Sequence, residues 1–244
     1  MSTAFPRALI VGASSGIGAT LALKLAGTGA KVAAVARRQA ELDALAAQSG
    51  GRVLPYAGDV LDYAATPALF DRILDDLGGL DLFIYNAGVM PPVEESEYNF
   101  DKDRQMIEVN FLAAVQWSNL AAAHFEAARA GVLCGISSVA GERGRRGSPV
   151  YTASKAGLTA YFEAMRNRLT RYGVRVVTIK PGPVETPMTA GLKLPLMITA
   201  DQAANEIVSA LEGGATEAFV PGIWRPIMFV VRNVPSFVFT KTNI

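Results

Sequence analysis

Residues 11–18, VGASSGIG, decide the fold, because their glycines stand where the apolar run RALIV passes into a helical pattern, GATLALKLAGTG. After a strand, the first glycine permits a tight turn, the second lets the backbone approach a pyrophosphate, and the third allows close packing of helix on strand. The helix N-terminus then offers free N–H groups and a positive dipole end to phosphates. The turn therefore predicts a dinucleotide site that contains Gly12, Ser14, Ser15, Gly16, Ile17 and Gly18.

The rest of the chain repeats this alternation of apolar runs and helical patterns. The runs recur as KVAAVA, RVLPYA, DLFIYN, GVLCGIS and VRVVTIKP. Because they are apolar almost throughout, we expect strands buried on both faces, as in a parallel sheet covered by helices. The sequence predicts a doubly wound α/β Rossmann fold, whose seven-stranded, mostly parallel sheet ends in a short strand near EAFVPG. We expect residues 1–222 to form a single dinucleotide-binding catalytic domain, with residues 223–244 as its apolar C-terminal extension.

Composition excludes several classes of function. The 23 basic and 22 acidic residues of the 244-residue chain nearly cancel, so no overall field steers it toward nucleic acid. One cysteine, Cys134, and one histidine, His124, are too few for a disulfide framework, a Cys/His metal site or a histidine triad. We expect both to be packing residues. The scarcity of cysteine and histidine also leads us to expect no bound metal. The N-terminus lacks the pattern of a signal peptide, so we expect a cytoplasmic protein.

Further motifs follow the glycine turn in a specific order. GDV comes after the third run, NAG after the fourth, EVNF in the long fourth helix, and Ser138 precedes a Tyr-x-x-x-Lys pattern. With KPGPVETPM after the sixth run, the chain resembles the short-chain dehydrogenase/reductase family over about residues 7–222. Two positions depart from the family pattern, Val11 where Thr is frequent and Tyr85 where Asn is frequent. We expect these two departures to weaken local hydrogen bonding at most.

The resemblance implies a nicotinamide cofactor, and the second run indicates which one. An acid at the end of that run would bind the ribose 2′-OH, but Ala36 is followed here by Arg37 and Arg38. A guanidinium suits a 2′-phosphate, so the sequence predicts NADP (NADPH) in preference to NAD; the alternative is a solvated helix start. The further cofactor residues implied by the resemblance are Asp59, Val60, Asn86, Ala87, Gly88, Tyr151, Lys155, Pro181, Gly182, Val184 and Thr186.

The predicted catalytic residues are Asn110, Ser138, Tyr151 and Lys155. Tyr151 and Lys155 lie four apart on one helix face, so we expect the ammonium group to lower the pKa of the phenol from about 10. Tyr151 could then act as general acid or base, while Ser138 hydrogen-bonds the substrate oxygen. The resemblance implies that Lys155 also binds the nicotinamide ribose and that Asn110 holds a water in a proton relay. Taken alone, the same residues would be a strand-end turn and an amphipathic helix face.

These residues predict an NADP(H)-dependent oxidoreductase that interconverts a ketone and a secondary alcohol by hydride transfer. The resemblance implies a homodimer or homotetramer, with the long fourth and fifth helices at the interface. The alternative is a nucleotide-binding redox sensor or scaffold of the same fold without turnover. The occupied catalytic tetrad favours the enzyme, because a sensor has no need of it.

The substrate loop of the family corresponds to VETPMTAGLKLPLMITADQ, where Met188, Leu192, Leu194, Leu196 and Met197 are apolar. Such a lid suits a bulky or lipid-like substrate, or its side chains pack the lid on the domain. SSVAGERGRR and the C-terminal segment resemble the branch that contains bacterial reductases of polyprenyl-phosphoryl 2-keto pentoses. That branch implies a lipid-linked keto sugar, whose phosphate the arginines at 143, 145 and 146 could contact; the alternative is a solvated loop.

The extension, IWRPIMFVVRNVPSFVFTKTNI, combines aromatic and branched apolar residues with Arg225, Arg232 and Lys241. Pro226, Pro235 and the charges leave no apolar run long enough to span a bilayer. We expect it to cover the active site, to pack in an oligomer, or to make peripheral contact with a membrane surface.

Overall fold

A computed structural model describes residues 3–192 and 194–242, in which strands and helices alternate along the chain. The strands are β1 (Arg7–Val11), β2 (Lys31–Ala36), β3 (Val53–Ala57), β4 (Leu82–Tyr85), β5 (Val132–Ile136), β6 (Arg175–Pro181), β7 (Val184–Glu185), β8 (Ile198–Thr199) and β9 (Glu217–Val220). The helices are α1 (Gly16–Gly27), α2 (Gln39–Gln48), α3 (Thr66–Leu77), α4 (Phe100–Ile107), α5 (Ala113–Ala128), α6 (Pro149–Leu169), α7 (Ala200–Glu212), α8 (Trp224–Asn233) and α9 (Ser236–Phe239).

Seven strands form one parallel sheet in the order β3-β2-β1-β4-β5-β6-β9. The predicted seven-stranded Rossmann fold is thereby confirmed, including the short last strand over EAFV. The order reverses between β1 and β4, and ligands of open α/β sheets bind at such a switch point, beyond the carboxyl ends of the strands. Pro55 is tolerated in β3 because β3 lies at the edge of the sheet, where a missing N–H donor breaks no central ladder.

Helices cover both faces of the sheet, and each face has its own apolar core. On one face, residues of α1, α2 and α7 pack with alternate strand residues such as Ile10. On the other, α3, α5 and α6 pack with the intervening strand residues, such as Leu9 and Val11. The single cysteine, Cys134, is buried in β5, where burial raises the pKa of its thiol to about 12. It is a packing residue, as the sequence predicts.

The predicted substrate lid contains structure that the sequence did not suggest. β7 and β8 form a separate two-stranded parallel sheet, and they bracket a surface segment of residues 186–197. Four apolar side chains of that segment are exposed, namely Met188, Leu192, Leu194 and Leu196. Of these four, Met188 still reaches the domain, since its methyl group lies 3.9 Å from the position of a Cβ on Gly88. Lys193 of the predicted lid lies outside the described residues.

The C-terminal extension packs beside the turn that follows β5. Trp224 and Met228 of α8 are buried against Val139, which directly follows Ser138. Arg143 caps the C-terminal end of α8. Its guanidinium donates to the carbonyl of Val231 at 2.6 Å and to that of Arg232 at 3.2 Å. Within the part of the chain that the structure describes, no helix is both long and apolar enough to cross a bilayer. Residues 243–244 of the extension lie outside the described residues.

A buried ion pair joins the same turn to the end of β6. Lys180 Nζ lies 2.7 Å from Glu142 and 2.8 Å from Glu217, and the side chains of Lys180 and Glu142 are each only 3% exposed. Arg232 of α8 adds a second cation to Glu142 at 3.1 Å. Glu142 ends the turn that begins after Ser138, and Lys180 precedes the Pro181–Gly182 stretch. The buried pair therefore joins this turn to β6, and the more exposed Glu217 and Arg232 extend it to β9 and α8.

Replacing Lys180 by Met should destabilise the protein, because it leaves the buried Glu142 carboxylate with Arg232 alone. Breaking a buried pair costs about 3 kcal/mol in the free energy of unfolding, which urea denaturation measures. The matched control is Lys24→Met, which removes the partner of the exposed Asp201 and should cost far less. Equal losses in the two variants would contradict the structural role of Lys180.

Candidate active site

The glycine turn has the geometry of a phosphate cradle. Gly12 and Gly16 adopt φ angles of 90° and 56°, in the left-handed region that favours glycine. A Cβ on Gly18 would collide with the carbonyl of Gly12, so α1 can approach the end of β1 only with glycine there. No side chain caps the N-terminus of α1, because Ser15 makes no capping bond. The first N–H groups of α1 therefore remain available to an anion.

Arg38 is held directly over this turn. Its Nη2 donates to Ser14 Oγ and to Ser15 Oγ, each at 2.8 Å, and its Nε lies 3.2 Å from Ser14 Oγ. Glu41 balances the guanidinium at 3.4 Å. Arg37 is exposed on the surface. Of the two arginines that the sequence singles out, the structure brings Arg38 to the predicted phosphate site.

An open cleft of about 450 Å³ lies beyond the end of β3, and of the two residues predicted to hold the adenine it is lined by Asp59 and not by Val60. The Asp59 carboxylate accepts a hydrogen bond from the backbone N–H of Leu61 at 3.0 Å. Arg72 and Leu69 of α3 form the opposite wall, and the guanidinium of Arg72 lies over the ring of Tyr56 at 5.2 Å. Sequence reasoning missed both wall residues, because their helix lies outside the motifs.

Asn86, Ala87 and Gly88 continue from the end of β4 toward the centre of the site. The Asn86 side chain donates to the Gly12 carbonyl at 2.7 Å, which joins the ends of β4 and β1. A Cβ added to Gly88 would lie 3.4 Å from Asn110 Oδ1 and 3.5 Å from Lys155 Nζ. The structure therefore brings three of the predicted residues together around Gly88.

Asn110 is buried in a π-helical turn, Glu108–Leu112, that joins α4 to α5. Its Oδ1 accepts from the N–H of Val89 at 2.7 Å, and its Nδ2 donates to the Val89 carbonyl at 3.0 Å and to Ser154 Oγ at 3.1 Å. Two of these bonds therefore fix the loop after Gly88, and the third joins the turn to α6. They hold the turn in place beside Lys155.

Tyr85 corrects an expectation from the sequence. It stands where the resemblance led us to expect Asn, and we expected weaker local hydrogen bonding. Instead, its buried hydroxyl donates to the carbonyl of Val109 at 2.6 Å, immediately before Asn110. A π-helical turn interrupts the regular i→i−4 pattern, so this carbonyl benefits from an external donor. Tyr85 thus supports the turn that carries Asn110.

Ser138, Tyr151 and Lys155 meet at the carboxyl end of β5. Ser138 lies just after β5 and accepts from the N–H of Ala140 at 3.0 Å, and its hydroxyl is close enough to Tyr151 to lower the pKa of the phenol. Tyr151 and Lys155 lie one turn apart on α6, with Lys155 Nζ 6.0 Å from the centroid of the Tyr151 ring. Lys155 donates to the Ile136 carbonyl at 3.0 Å, which fixes the ammonium group beneath Gly88.

Two cationic side chains, Arg145 and Lys155, lie near the phenol of Tyr151. Burial raises the pKa of Tyr151, while the hydrogen bond from Ser138 and the positive charge of Arg145 act in the opposite direction. Lys155 is itself buried, and desolvation lowers the pKa of its ammonium group to about 8. Arg145 is therefore a cation outside the Tyr-x-x-x-Lys motif that acts on Tyr151, and the lowering of the phenol pKa by Lys155 stays a prediction.

The segment after β6 contacts the glycine turn. A Cβ on Gly16 would lie 2.9 Å from the methyl group of Thr186, so Thr186 reaches the glycine turn. Gly182 leaves room for the indole of Trp224, which occupies the space that a side chain would need. Trp224 is a site residue that the motifs missed, because its contact spans 42 positions of sequence. The other predicted residues here, Pro181 and Val184, are buried.

The residues present fit a nicotinamide dinucleotide. The uncapped α1 N-terminus and Arg38 would hold its phosphates, and the cleft at Asp59 would hold its adenine ring. Gly88, Lys155 and Thr186 would contact its nicotinamide end. When bound, such a cofactor supplies or accepts a hydride at that end.

Comparison with known proteins agrees with this reading. The chain matches the short chain dehydrogenase family over residues 6–195. It is 38% identical over 192 residues to an uncharacterized oxidoreductase from Myxococcus xanthus, covering 78% of this chain and 76% of the relative. It is 31% identical over 234 residues to cis-4-hydroxycyclohexanecarboxylate dehydrogenase from Sinomonas cyclohexanicum, covering 95% and 91%. The protein therefore belongs to the short-chain dehydrogenase family and is an oxidoreductase.

A solved structure extends the likeness to nearly the whole fold. The short-chain dehydrogenase from Sphingobium yanoikuyae in complex with NADPH superposes with a TM-score of 0.82 at 26% identity. The match covers 95% of this chain and 97% of that one. It therefore includes most of the segments that follow the family match, which ends at residue 195.

Proposed function

We propose that the protein interconverts a ketone and a secondary alcohol, with NADP(H) as the hydride carrier and Tyr151 as the general acid or base. The observation that supports this most directly is the meeting of Ser138, Tyr151 and Lys155 next to Gly88 and the glycine turn. Proton donor, hydrogen-bond donor and cofactor cradle lie at one edge of the sheet. The arrangement is that of a site for reducing a carbonyl group.

In reduction, Tyr151 would give its proton to the carbonyl oxygen of the substrate as the carbonyl carbon receives the hydride. A raised pKa keeps this proton on the phenol at neutral pH, so burial favours the acid role. Ser138 would donate a hydrogen bond to the same oxygen and stabilise its developing charge. Lys155 would bind the ribose next to the nicotinamide, and Asn110 would hold the relay water near Lys155.

A preference for NADPH follows from Arg38. Its guanidinium bridges Ser14 and Ser15, and neither Ala36 nor its neighbours on β2 offers an acid to a ribose 2′-OH. A guanidinium binds a phosphate through charge-assisted hydrogen bonds, for which Arg38 would exchange its contacts with the two serine hydroxyls. The NADPH in the Sphingobium yanoikuyae structure is consistent with this choice.

The substrate that we propose is a bulky or apolar carbonyl compound, because the exposed lid residues Met188, Leu192 and Leu194 would cover it. A lipid-linked keto sugar is one such compound. The name of the Sinomonas cyclohexanicum relative describes a cyclic secondary alcohol, which supports the reaction class. A nucleotide-binding sensor would share the cradle but have no use for a proton donor at Gly88.

We further propose peripheral membrane contact through the extension. Phe229 and Phe237 are each 71% exposed, and neither α8 nor α9 contains an acidic residue. Arg225, Arg232 and Lys241 make this surface basic. Apolar rings flanked by cations suit the interface of an anionic bilayer. An oligomer through the long fourth and fifth helices stays a prediction.

Changing Tyr151 to Phe should lower kcat for ketone reduction by roughly 10²–10⁴, because the general acid is lost. NADPH affinity, measured by fluorescence titration, should stay close to that of the wild type. The control is Tyr161→Phe on the same helix, whose hydroxyl contacts Asn119 instead. Nearly full activity of the Tyr151 variant would refute the mechanism. NADPH binding without turnover by the wild type, over a broad carbonyl panel, would favour the sensor.

Replacing Arg38 by Ala should lower kcat/KM for NADPH, because the charge-assisted hydrogen bonds between the guanidinium and the 2′-phosphate are lost. The ratio of kcat/KM for NADPH to that for NADH should fall by about tenfold to a hundredfold. Steady-state kinetics with both cofactors measures the ratio. Arg37→Ala, which changes the exposed neighbour, should shift it much less. If the wild type used NADH with the higher kcat/KM, the proposed preference would be wrong.

A double variant, Phe229→Ser with Phe237→Ser, should lose binding to vesicles that contain phosphatidylglycerol, because its apolar surface is reduced. Flotation on a density gradient measures binding, with phosphatidylcholine vesicles as the neutral comparison. Tyr98→Ser with Phe100→Ser removes exposed aromatic rings far along the chain and should leave flotation unchanged. Failure of the wild-type protein to float would remove the membrane proposal.

A further inference from the structure

The loop between Ser138 and α6 contains three arginines, and the structure gives them different surroundings. Arg143 is committed to the extension, through the α8 carbonyls and a contact over the ring of Phe239 at 4.0 Å. Arg146 also faces the extension, since its Nη2 lies 3.4 Å from the Thr242 carbonyl and its Nη1 lies 4.0 Å from Glu95. Neither supports the idea of a freely solvated basic loop.

Arg145 differs from its neighbours. Among residues 3–192 and 194–242 it has neither an ion pair nor a hydrogen bond, and its buried Nε has no acceptor. Burial without a counter-charge lowers the pKa of its guanidinium, and only the electrostatic interaction with Tyr151 opposes this effect. A partly buried cation without an anionic partner is costly, so proteins rarely retain one without a use.

A second unpartnered polar group lies three residues away. Ser148 is the N-cap of α6, yet its side chain makes no capping bond and its buried Oγ has no partner. It precedes a helix of 21 residues, whose first turn directs a positive dipole end toward the same loop. Arg145 and Ser148 thus add a charge and a hydroxyl to a helix N-terminus beside Tyr151.

We propose that Arg145, with Ser148 and the first turn of α6, binds an oxyanion carried by the substrate, either a carboxylate or a phosphate ester. The proposal rests on the proposed function and deepens it, since it places the anionic group near the carbonyl that Tyr151 protonates. A guanidinium has the planar fork that matches carboxylate and phosphate oxygens. Arg145 would then determine specificity by supplying the cation for a charged substrate, while the exposed lid residues contact its apolar part.

Binding of simple anions tests the site without requiring turnover. The protein is first saturated with NADP⁺ and then titrated with benzoate or with phenyl phosphate in a calorimeter. Both anions should bind, whereas neutral benzamide should not. Arg145→Gln should weaken it by roughly tenfold or more, because charge-assisted hydrogen bonds are lost. Arg146→Gln is the matched control and should bind as the wild type does. Binding of one anion alone identifies which oxyanion the site takes.

Turnover gives the second measurement. Arg145→Gln should lower kcat/KM for 4-oxopentanoate, mainly through KM, and by much more than for its methyl ester at the same pH. Dihydroxyacetone phosphate and dihydroxyacetone form the corresponding phosphate pair. Loss of the positive charge should also move the rising, acidic limb of the pH profile of alcohol oxidation to higher pH, since Arg145 favours the phenolate of Tyr151, which acts as the base. Arg145→Lys should restore part of both effects.

Two outcomes would overturn the proposal. One is a wild-type protein that binds neither anion, and the other is Arg145→Gln protein that binds anions as tightly as the wild type does. Equal loss on acid and ester substrates would show a structural effect instead. The proposed function fails separately, by absence of turnover on neutral ketones or by activity that survives Tyr151→Phe.

Discussion

The close approach of α1 to the end of β1 is the contact on which the site depends. Gly18 leaves no space between the helix and the Gly12 carbonyl, and the same carbonyl accepts the Asn86 side chain from the end of β4. One backbone oxygen thus joins a helix and two strands at the point where strand order reverses. That contact aims the N-terminus of α1 along the carboxyl edge of the sheet. It also places Gly88 beside Asn110 and Lys155.

Electrostatics divides the site into two parts. At the cofactor end, the α1 N-terminus and Arg38 provide positive charge, which the exposed Glu41 balances in part. At the substrate end, burial raises the pKa of Tyr151 and lowers that of Lys155, because both groups have lost water. The balancing positive charge comes from Arg145, which lies on a loop and not on α6. The charges that act on Tyr151 therefore include one from outside the Tyr-x-x-x-Lys motif.

The C-terminal extension is tied to the site by packing and by charge. Trp224 fills the space above Gly182, and its neighbour Met228 packs with Val139 beside Ser138. Arg232 shares the buried Glu142 carboxylate with Lys180, which precedes the loop after β6. The two segments that carry Ser138 and Pro181–Gly182 are thus fastened to each other and to α8. A change in α8 would reach the candidate active site through these contacts.

The sequence by itself determined the features that depend on local pattern. Apolar runs predicted all seven strands of the main sheet, because burial on both faces requires a continuous apolar run. The glycine spacing predicted the turn, because a left-handed φ or a close approach is a property of single positions. The i, i+4 spacing placed Tyr151 and Lys155 on one face of α6. Only the tertiary structure decided the bond from Tyr85 to Val109, the pairing of β7 with β8, and the different surroundings of three adjacent arginines. Such contacts join residues far apart in the chain, so their geometry exists only after folding has brought the segments together.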